Sequence, residues 1–164
     1  MKKVDMDLRD QVILTEEGYK NLLAELNELK TVKRREVAER LRDAISYGDL
    51  MENSEYDDAK NEQARLEHRI DQLETMLAKA RVIDRRSVKT REVGIGSLVE
   101  IRQVGGSKRQ VYRIVGPAEA DPDNHMISFE SPVGKALMGK KVGEVVTVSV
   151  PAGTIRYRIM TIKR

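Results

Sequence analysis

The chain contains no cysteine and no tryptophan, and only one phenylalanine and five tyrosines among its 164 residues. Without cysteine there is no disulfide and no thiolate metal site, a composition that fits a reducing cytosol. So few aromatic rings argue against a stacking platform for unpaired bases. No stretch approaches the roughly 20 apolar residues of a membrane-spanning helix, and residues 1–10 are charged throughout, unlike a signal peptide. The expectation is a cytoplasmic protein with no membrane association. An excess of charge of one sign is also missing. Thirty Lys and Arg against 27 Asp and Glu leave a net charge of +3, so the distribution of charge matters more than its sum.

What is present divides into two halves. Up to Val82 the only chain breakers are Gly18 and Gly48, whereas nine glycines and all four prolines lie from Val93 onward. The shift places a domain boundary in the polar stretch Asp84–Glu92, giving domains 1–84 and 85–164.

The first half reads as two long helices. Thr15 is positioned to cap the first, with Glu16 and Glu17 in the turn where the helix dipole favours anions. Tyr19, Leu22, Leu26 and Leu29 recur at spacings of three and four. The pattern loosens through Lys33, Arg34, Arg35 and Glu36, then resumes at Val37, Leu41 and Ile45. On the return, Ala59, Gln63, Leu66, Ile70, Leu73, Leu77 and Ala80 alternate spacings of four and three, a coiled-coil seam. Ser54 with Asp57 resembles a capping box opening the second helix. The link between the helices is too short for anything but a reversal, so they run antiparallel. At about 1.5 Å per residue the first helix makes a rod roughly 48 Å long, its tip at 48–53. The seam is satisfied within the hairpin, which predicts a monomer.

The second half reads as strands. Residues 97–103 and 110–115 flank a turn at Gly105-Gly106, and 125–130 form another short run. Ser131-Pro132 supplies a cap and first helical residue for a short helix ending at Gly139. Residues 142–150 and 154–162 pair around Pro151-Ala152-Gly153. The fold class is therefore α+β: an antiparallel helical hairpin followed by a small antiparallel β domain with one short helix.

The tip is the unusual place. Asp49, Glu52, Glu55, Asp57 and Asp58 lie within ten residues that hold no Lys or Arg. Helix-dipole stabilisation accounts for Glu55, Asp57 and Asp58, but less well for Asp49 and Glu52, which precede the helix. A solvated hairpin end is the plain structural account of this cluster.

The local order adds a second account. Gly48-Asp49-Leu50-Met51-Glu52-Asn53-Ser54-Glu55-Tyr56 closely resembles the tip signature of the bacterial Gre transcript-cleavage factors, of the GreA type. Leu14-Thr15-Glu16-Glu17-Gly18, Glu25-Leu26, Leu29-Lys30 and Arg35-Glu36-Val37 are similar to the first helix of that family. Arg69-Ile70, Leu73-Glu74, Leu77 and Val82-Ile83-Asp84 are similar to its second. Tyr112-Arg113-Ile114-Val115-Gly116, Ile127-Ser128 and Ser131-Pro132-Val133-Gly134-Lys135-Ala136-Leu137 resemble its C-terminal domain. The Pro that many such sequences carry after the Arg pair of the first helix is absent.

The resemblance implies an FKBP-like C-terminal domain and a factor that binds bacterial RNA polymerase at its secondary channel. Its coiled coil would enter the channel and stimulate Mg²⁺-dependent hydrolysis of the 3′ end of backtracked RNA, rescuing arrested complexes. Asp49 and Glu52 would then be the catalytic pair, sharing Mg²⁺ with the polymerase, with Gly48, Asn53, Ser54, Glu55 and Tyr56 in support. Magnesium takes hard oxygen ligands and keeps several waters, so two exposed carboxylates contribute without binding it tightly alone. The protein would be an accessory factor, inert in isolation. A basic cluster that includes Lys33, Arg34, Arg35 and Arg42 is either a solvated face paired with acids or, as the family implies, a contact for the RNA 3′ end. Glu130, Ser131 and Pro132 fall in a region implicated in polymerase binding across the family.

Three other readings compete. A channel-occupying inhibitor of the same fold would need neither Asp49 nor Glu52. A prolyl isomerase would need an aromatic-lined pocket, and the C-terminal half has only Tyr112, Phe129 and Tyr157. A plain coiled-coil adaptor explains the seam but not the acids. His68 and His125 lack partners at metal-ligand spacing.

Overall fold

The computed structural model describes residues 10–47 and 53–164. Tyr19–Lys79 form one compact unit; the segment before them, up to Gly18, clusters with Ala80–Arg164 in the other.

The hairpin unit is built from α1 (Glu16–Glu28), a π-helical turn at Leu29–Lys33, α2 (Arg34–Ser46) and the long α3 (Ser54–Ala78). The π turn explains why the apolar pattern loosens. A heptad seam through Leu22, Leu26 and Leu29 would continue at 36, 40 and 43. The apolar residues instead stand at Val37, Leu41 and Ala44, each one position late. A π turn holds one residue more than an α turn and absorbs that offset. The Arg34 N–H accordingly reaches back to the Leu29 carbonyl. The corrected register buries Ala44 (2% exposed) and leaves Ile45 54% exposed, reversing the expectation that Ile45 lies on the seam. Opposite, Ala59, Leu66, Ile70 and Leu73 are buried as the four-three spacing requires. Ala80, the last expected seam position, has left the helix for a strand.

Ion pairs flank the seam and join the two helical arms across it. They join Glu25 to Arg69, Lys30 to Glu74, Arg34 to Glu67 and Arg40 to Glu62. All are largely exposed, so they fix register more than they add stability.

In the other unit, β1 (Val12–Thr15) pairs in parallel with β2 (Ala80–Ile83), Val12 opposite Ala80 and Thr15 opposite Ile83. Leu14 is fully buried there. Thr15 ends the strand and caps α1 as expected, its Oγ1 accepting the Gly18 N–H at 3.1 Å. It also donates its hydroxyl to the Glu119 carboxylate, which accepts in addition from the backbone N–H of Thr15 (3.0 Å) and Gly116 (3.1 Å). A Cβ on Gly18 would stand 1.8 Å from a Glu119 carboxylate oxygen, so this position of the helix admits only glycine without rearrangement.

The main sheet has the order β5-β4-β3-β7-β6, formed by β3 (Leu98–Gln103), β4 (Arg109–Val115), β5 (Met126–Ser128), β6 (Val145–Val150) and β7 (Gly153–Lys163). Three pairings are antiparallel, and β4–β5 is parallel. The parallel pair arises because the chain between them crosses over through two 3₁₀ turns, Pro117–Glu119 and Pro122–Asn124. Strand alternation buries Val99 with Ile101 and Val146 with Val148. On β7 the buried pair is Ile159 and Ile162, three apart. The register shift between β3 and β7, which pairs Glu100 with Thr161 but Ile101 with Ile159, changes the parity. The short helix α4 (Pro132–Leu137) contributes Leu137 to this core.

Candidate functional site

The closed end of the hairpin is fixed by its two caps. Tyr47 ends α2, its N–H donating to the Ala44 carbonyl at 3.3 Å. Asn53 starts α3 with an extended backbone, and its Oδ1 accepts the Tyr56 N–H at 3.2 Å. Of the two residues able to cap this helix, Asn53 does so, and Ser54, whose spacing to Asp57 resembles a capping box, is the first helical residue. Asparagine prevails because its amide has two ends. While Oδ1 caps α3, Nδ2 donates to the Ala44 carbonyl at 2.6 Å, tying the start of α3 to the last turn of α2. A serine hydroxyl has a single proton and could not hold the same pair of bonds over that reach.

Gly48, Asp49 and Glu52 lie outside the described residues, between these two caps. Of the supporting residues, Glu55 is exposed in the first turn of α3, where the helix dipole favours an acid. Ser54 is exposed, and Tyr56 is half-buried with the Lys60 ammonium 5.9 Å from its ring centroid. Among the described residues no group of three or more His, Asp or Glu could hold a metal ion.

The basic residues separate into two kinds. Lys33 lies 3.3 Å from Glu36. Arg34 is bound at both ends of its fork by Glu67, Nε and Nη2 each donating at 2.9 Å. That hydrogen bonding raises the Arg34 pKa and lowers that of Glu67, so the pair stays ionised. Arg35 and Arg42 are exposed and make no ion pair among the described residues. Standing seven positions apart on α2, they share one face about 10 Å apart along the axis. The sequence left the choice among these cations open. The geometry leaves Arg35 and Arg42 available and occupies Lys33 and Arg34. Arg40, nearer the tip than Arg34, is likewise held, by Glu62.

On the other unit, Glu130-Ser131-Pro132 form a rigid corner between β5 and α4. The Ser131 Oγ accepts the Gly134 N–H at 3.1 Å and donates to the Ser128 carbonyl at 2.7 Å. The Glu130 N–H donates to Ser128 Oγ at 3.0 Å, and Pro132 occupies the first helical position. Gly134 completes the corner, since a Cβ there would lie 2.0 Å from the Ser128 carbonyl oxygen. The Glu130 side chain and Pro132 are exposed on this corner. Sequence reasoning identified the cap but missed Gly134; a glycine inside a helix three positions after its cap was the available signal.

No helix among the described residues is long and apolar enough to cross a membrane.

Residues 12–82 match the family model described as "Transcription elongation factor, N-terminal", and residues 88–164 the model "Transcription elongation factor, GreA/GreB, C-term". The chain is 53% identical over 159 residues to transcription elongation factor GreA of Acetivibrio thermocellus, covering 97% of this chain and all of that protein. It is 57% identical over 153 residues to the GreA of Caldanaerobacter subterraneus, covering 93% and 98% respectively. Among solved structures, GreA factor homolog 1 of Thermus thermophilus is 33% identical, with 94% of this chain and 99% of that chain covered and a TM-score of 0.44. Two family models that together span nearly the whole chain, and relatives matched over their full length, establish that the chain belongs to the GreA/GreB family of transcription elongation factors.

Proposed function

We propose that this factor binds bacterial RNA polymerase, inserts the closed end of its hairpin into the secondary channel, and stimulates Mg²⁺-dependent cleavage of the 3′ end of backtracked RNA. The observation that carries the proposal is the Asn53 cap. It ties the start of α3 to the last turn of α2, so Tyr47 and Asn53, the described residues on either side of Asp49 and Glu52, stand at defined helix ends. A catalytic pair is effective when its supporting elements are fixed, and the bridged ends of α2 and α3 support this reading.

Asp49 and Glu52 are hard oxygen donors, which fits magnesium, and two carboxylates are too few to enclose the ion without further ligands from polymerase and RNA. When held jointly in this way, Mg²⁺ supplies charge stabilisation for phosphodiester hydrolysis and lowers the pKa of a bound water. The carboxylates would orient that water and accept hydrogen bonds from it. Arg35 and Arg42, free of acidic partners among the described residues, are the cations positioned to meet RNA phosphates along one face of α2. The exposed Glu130 and Pro132, on the corner stiffened by Ser131 and Gly134, would take part in docking to polymerase. The protein alone hydrolyses nothing in this account, and it acts as a cytoplasmic monomer.

A magnesium titration of cleavage in backtracked elongation complexes tests the reading. The factor should lower the Mg²⁺ concentration required for half-maximal cleavage, and Asp49→Asn or Glu52→Gln should restore the factor-free requirement. A native factor that binds polymerase yet leaves the requirement unchanged, or raises it, would favour a channel-occupying inhibitor instead.

A further inference from the structure

A second concentration of positive charge lies away from the hairpin, on the unit that carries the five-stranded sheet. Arg85, Arg86 and Arg164 line an open cleft of about 380 Å³. Arg164 also lines an adjoining cleft of about 890 Å³, together with Lys89, Arg91 and Lys141. The two clefts present six cations against three carboxylates, Glu16, Asp84 and Glu92. Two of those acids are engaged. Asp84 Oδ1 accepts the Arg86 N–H at 2.8 Å and caps the 3₁₀ turn Arg85–Ser87, and Glu92 lies 4.0 Å from the Lys89 ammonium. The side chains of Arg85, Arg86, Arg91 and Lys141 are exposed and form no ion pair among the described residues.

We infer that these adjoining clefts bind the phosphodiester backbone of a single-stranded nucleic acid. Guanidinium forks match phosphate oxygens in pairs, and the cation count favours a ligand that brings a charge at every repeat. The lining contains no aromatic ring, so the strand is held by its phosphates and bases are not read. An acidic protein surface fits less well. Stable protein docking rests on buried apolar or aromatic anchors, and the only apolar side chain of either lining is Val142, 55% exposed. A single strand is flexible enough to follow the two clefts, whereas duplex DNA is stiff over about 150 base pairs. Apart from Glu16, the first residue of α1, the site shares no residue with the hairpin, and it does not depend on the cleavage reading.

The test is fluorescence anisotropy of labelled single-stranded RNA of mixed sequence with the full chain and no polymerase, from about 50 to about 200 mM salt. Two variants are compared with the native protein: Arg85→Gln/Arg86→Gln/Arg91→Gln/Lys141→Gln, and Arg35→Gln/Arg42→Gln on the hairpin. The quadruple variant should bind at least tenfold more weakly at the low-salt end. Its log affinity against log salt should be shallower by about 2 to 3, from roughly 0.7 per lost phosphate contact on a single strand. The hairpin variant, which removes the cations proposed above to meet RNA, should weaken binding less than the quadruple variant does. If the quadruple variant fails to fold, Arg85→Gln/Arg86→Gln should still lower the slope by about 1.4. Unchanged affinity and slope in a folded cleft variant would overturn the proposal. So would tighter binding of duplex DNA than of the single strand, or binding of polyglutamate where RNA does not bind.

Discussion

The side-chain amide of Asn53 donates to the backbone carbonyl of Ala44 at 2.6 Å while its own oxygen caps α3. One residue thereby caps α3 and bridges it to the last turn of α2 at the closed end of the hairpin. Asn53→Ala should destabilise the protein by about 1 to 2 kcal/mol, the cost of a lost cap together with a lost bridge. Asn53→Ser should recover the cap and only part of the stability. Denaturant unfolding of the three proteins checks the order native, Ser, Ala. In elongation complexes both variants should lose more cleavage stimulation than polymerase affinity, because the cap supports the tip and not the docking corner.

Arg34 and Glu67 give a dependence on pH. The hydrogen bonds from Arg34 lower the Glu67 pKa in the folded protein. A depressed carboxylate contributes stability that is fully present above its unfolded value, about 4.3, and is lost as pH falls through the folded value. The melting temperature of the native protein should therefore exceed that of Glu67→Gln at neutral pH. The gap should close below about pH 4. A gap that persists or widens in acid would show that the substitution acts through packing.

Gly134 lies under the Glu130-Ser131-Pro132 corner, proposed above to dock on polymerase, where a Cβ would meet the Ser128 carbonyl oxygen at 2.0 Å. Gly134→Ala should therefore cost about 1 to 3 kcal/mol, the range for overpacking a well-packed site. It should also displace Ser131 and weaken binding to polymerase. Ser131→Ala, which removes the cap and the bond to the Ser128 carbonyl, should cost about 1 to 2 kcal/mol. Calorimetry and a polymerase pull-down on the same samples separate the two effects.

The Glu119 carboxylate satisfies two backbone N–H groups and the Thr15 hydroxyl. Glu119→Ala should leave partly buried donors without partners, at a cost of about 1 to 3 kcal/mol. Gly18→Ala, whose new methyl would collide with that carboxylate, should be rescued in part by Glu119→Ala. A double-mutant cycle in urea reads the coupling.

The helices, their seam on α3, and most strands were legible because each rests on a periodicity carried by consecutive residues. What the sequence hid depended on counting across a discontinuity. The π turn moved the seam by one residue, so Ala44 took the place expected of Ile45. The register shift on β7 put Ile159 and Ile162 on one face although strand alternation separates them. The pairing of β1 with β2 joins residues that the whole hairpin divides, and no local pattern announces it. At the site, the choice of Asn53 over Ser54 as cap required the position of Ala44. The separation of Arg35 and Arg42 from Lys33 and Arg34 required the positions of Glu36 and Glu67. Cation identity was written in the sequence, but availability is a property of neighbours.

Asp49 and Glu52 are proposed to act on the transcript. The direct measurement is release of 3′ fragments from labelled RNA in halted, backtracked bacterial elongation complexes. The native chain is compared with Asp49→Ala/Glu52→Ala at concentrations giving equal polymerase occupancy. The account predicts accelerated release with the native chain and the factor-free rate with the variant. Equal acceleration by both proteins would contradict it, as would full occupancy by the native chain with no acceleration.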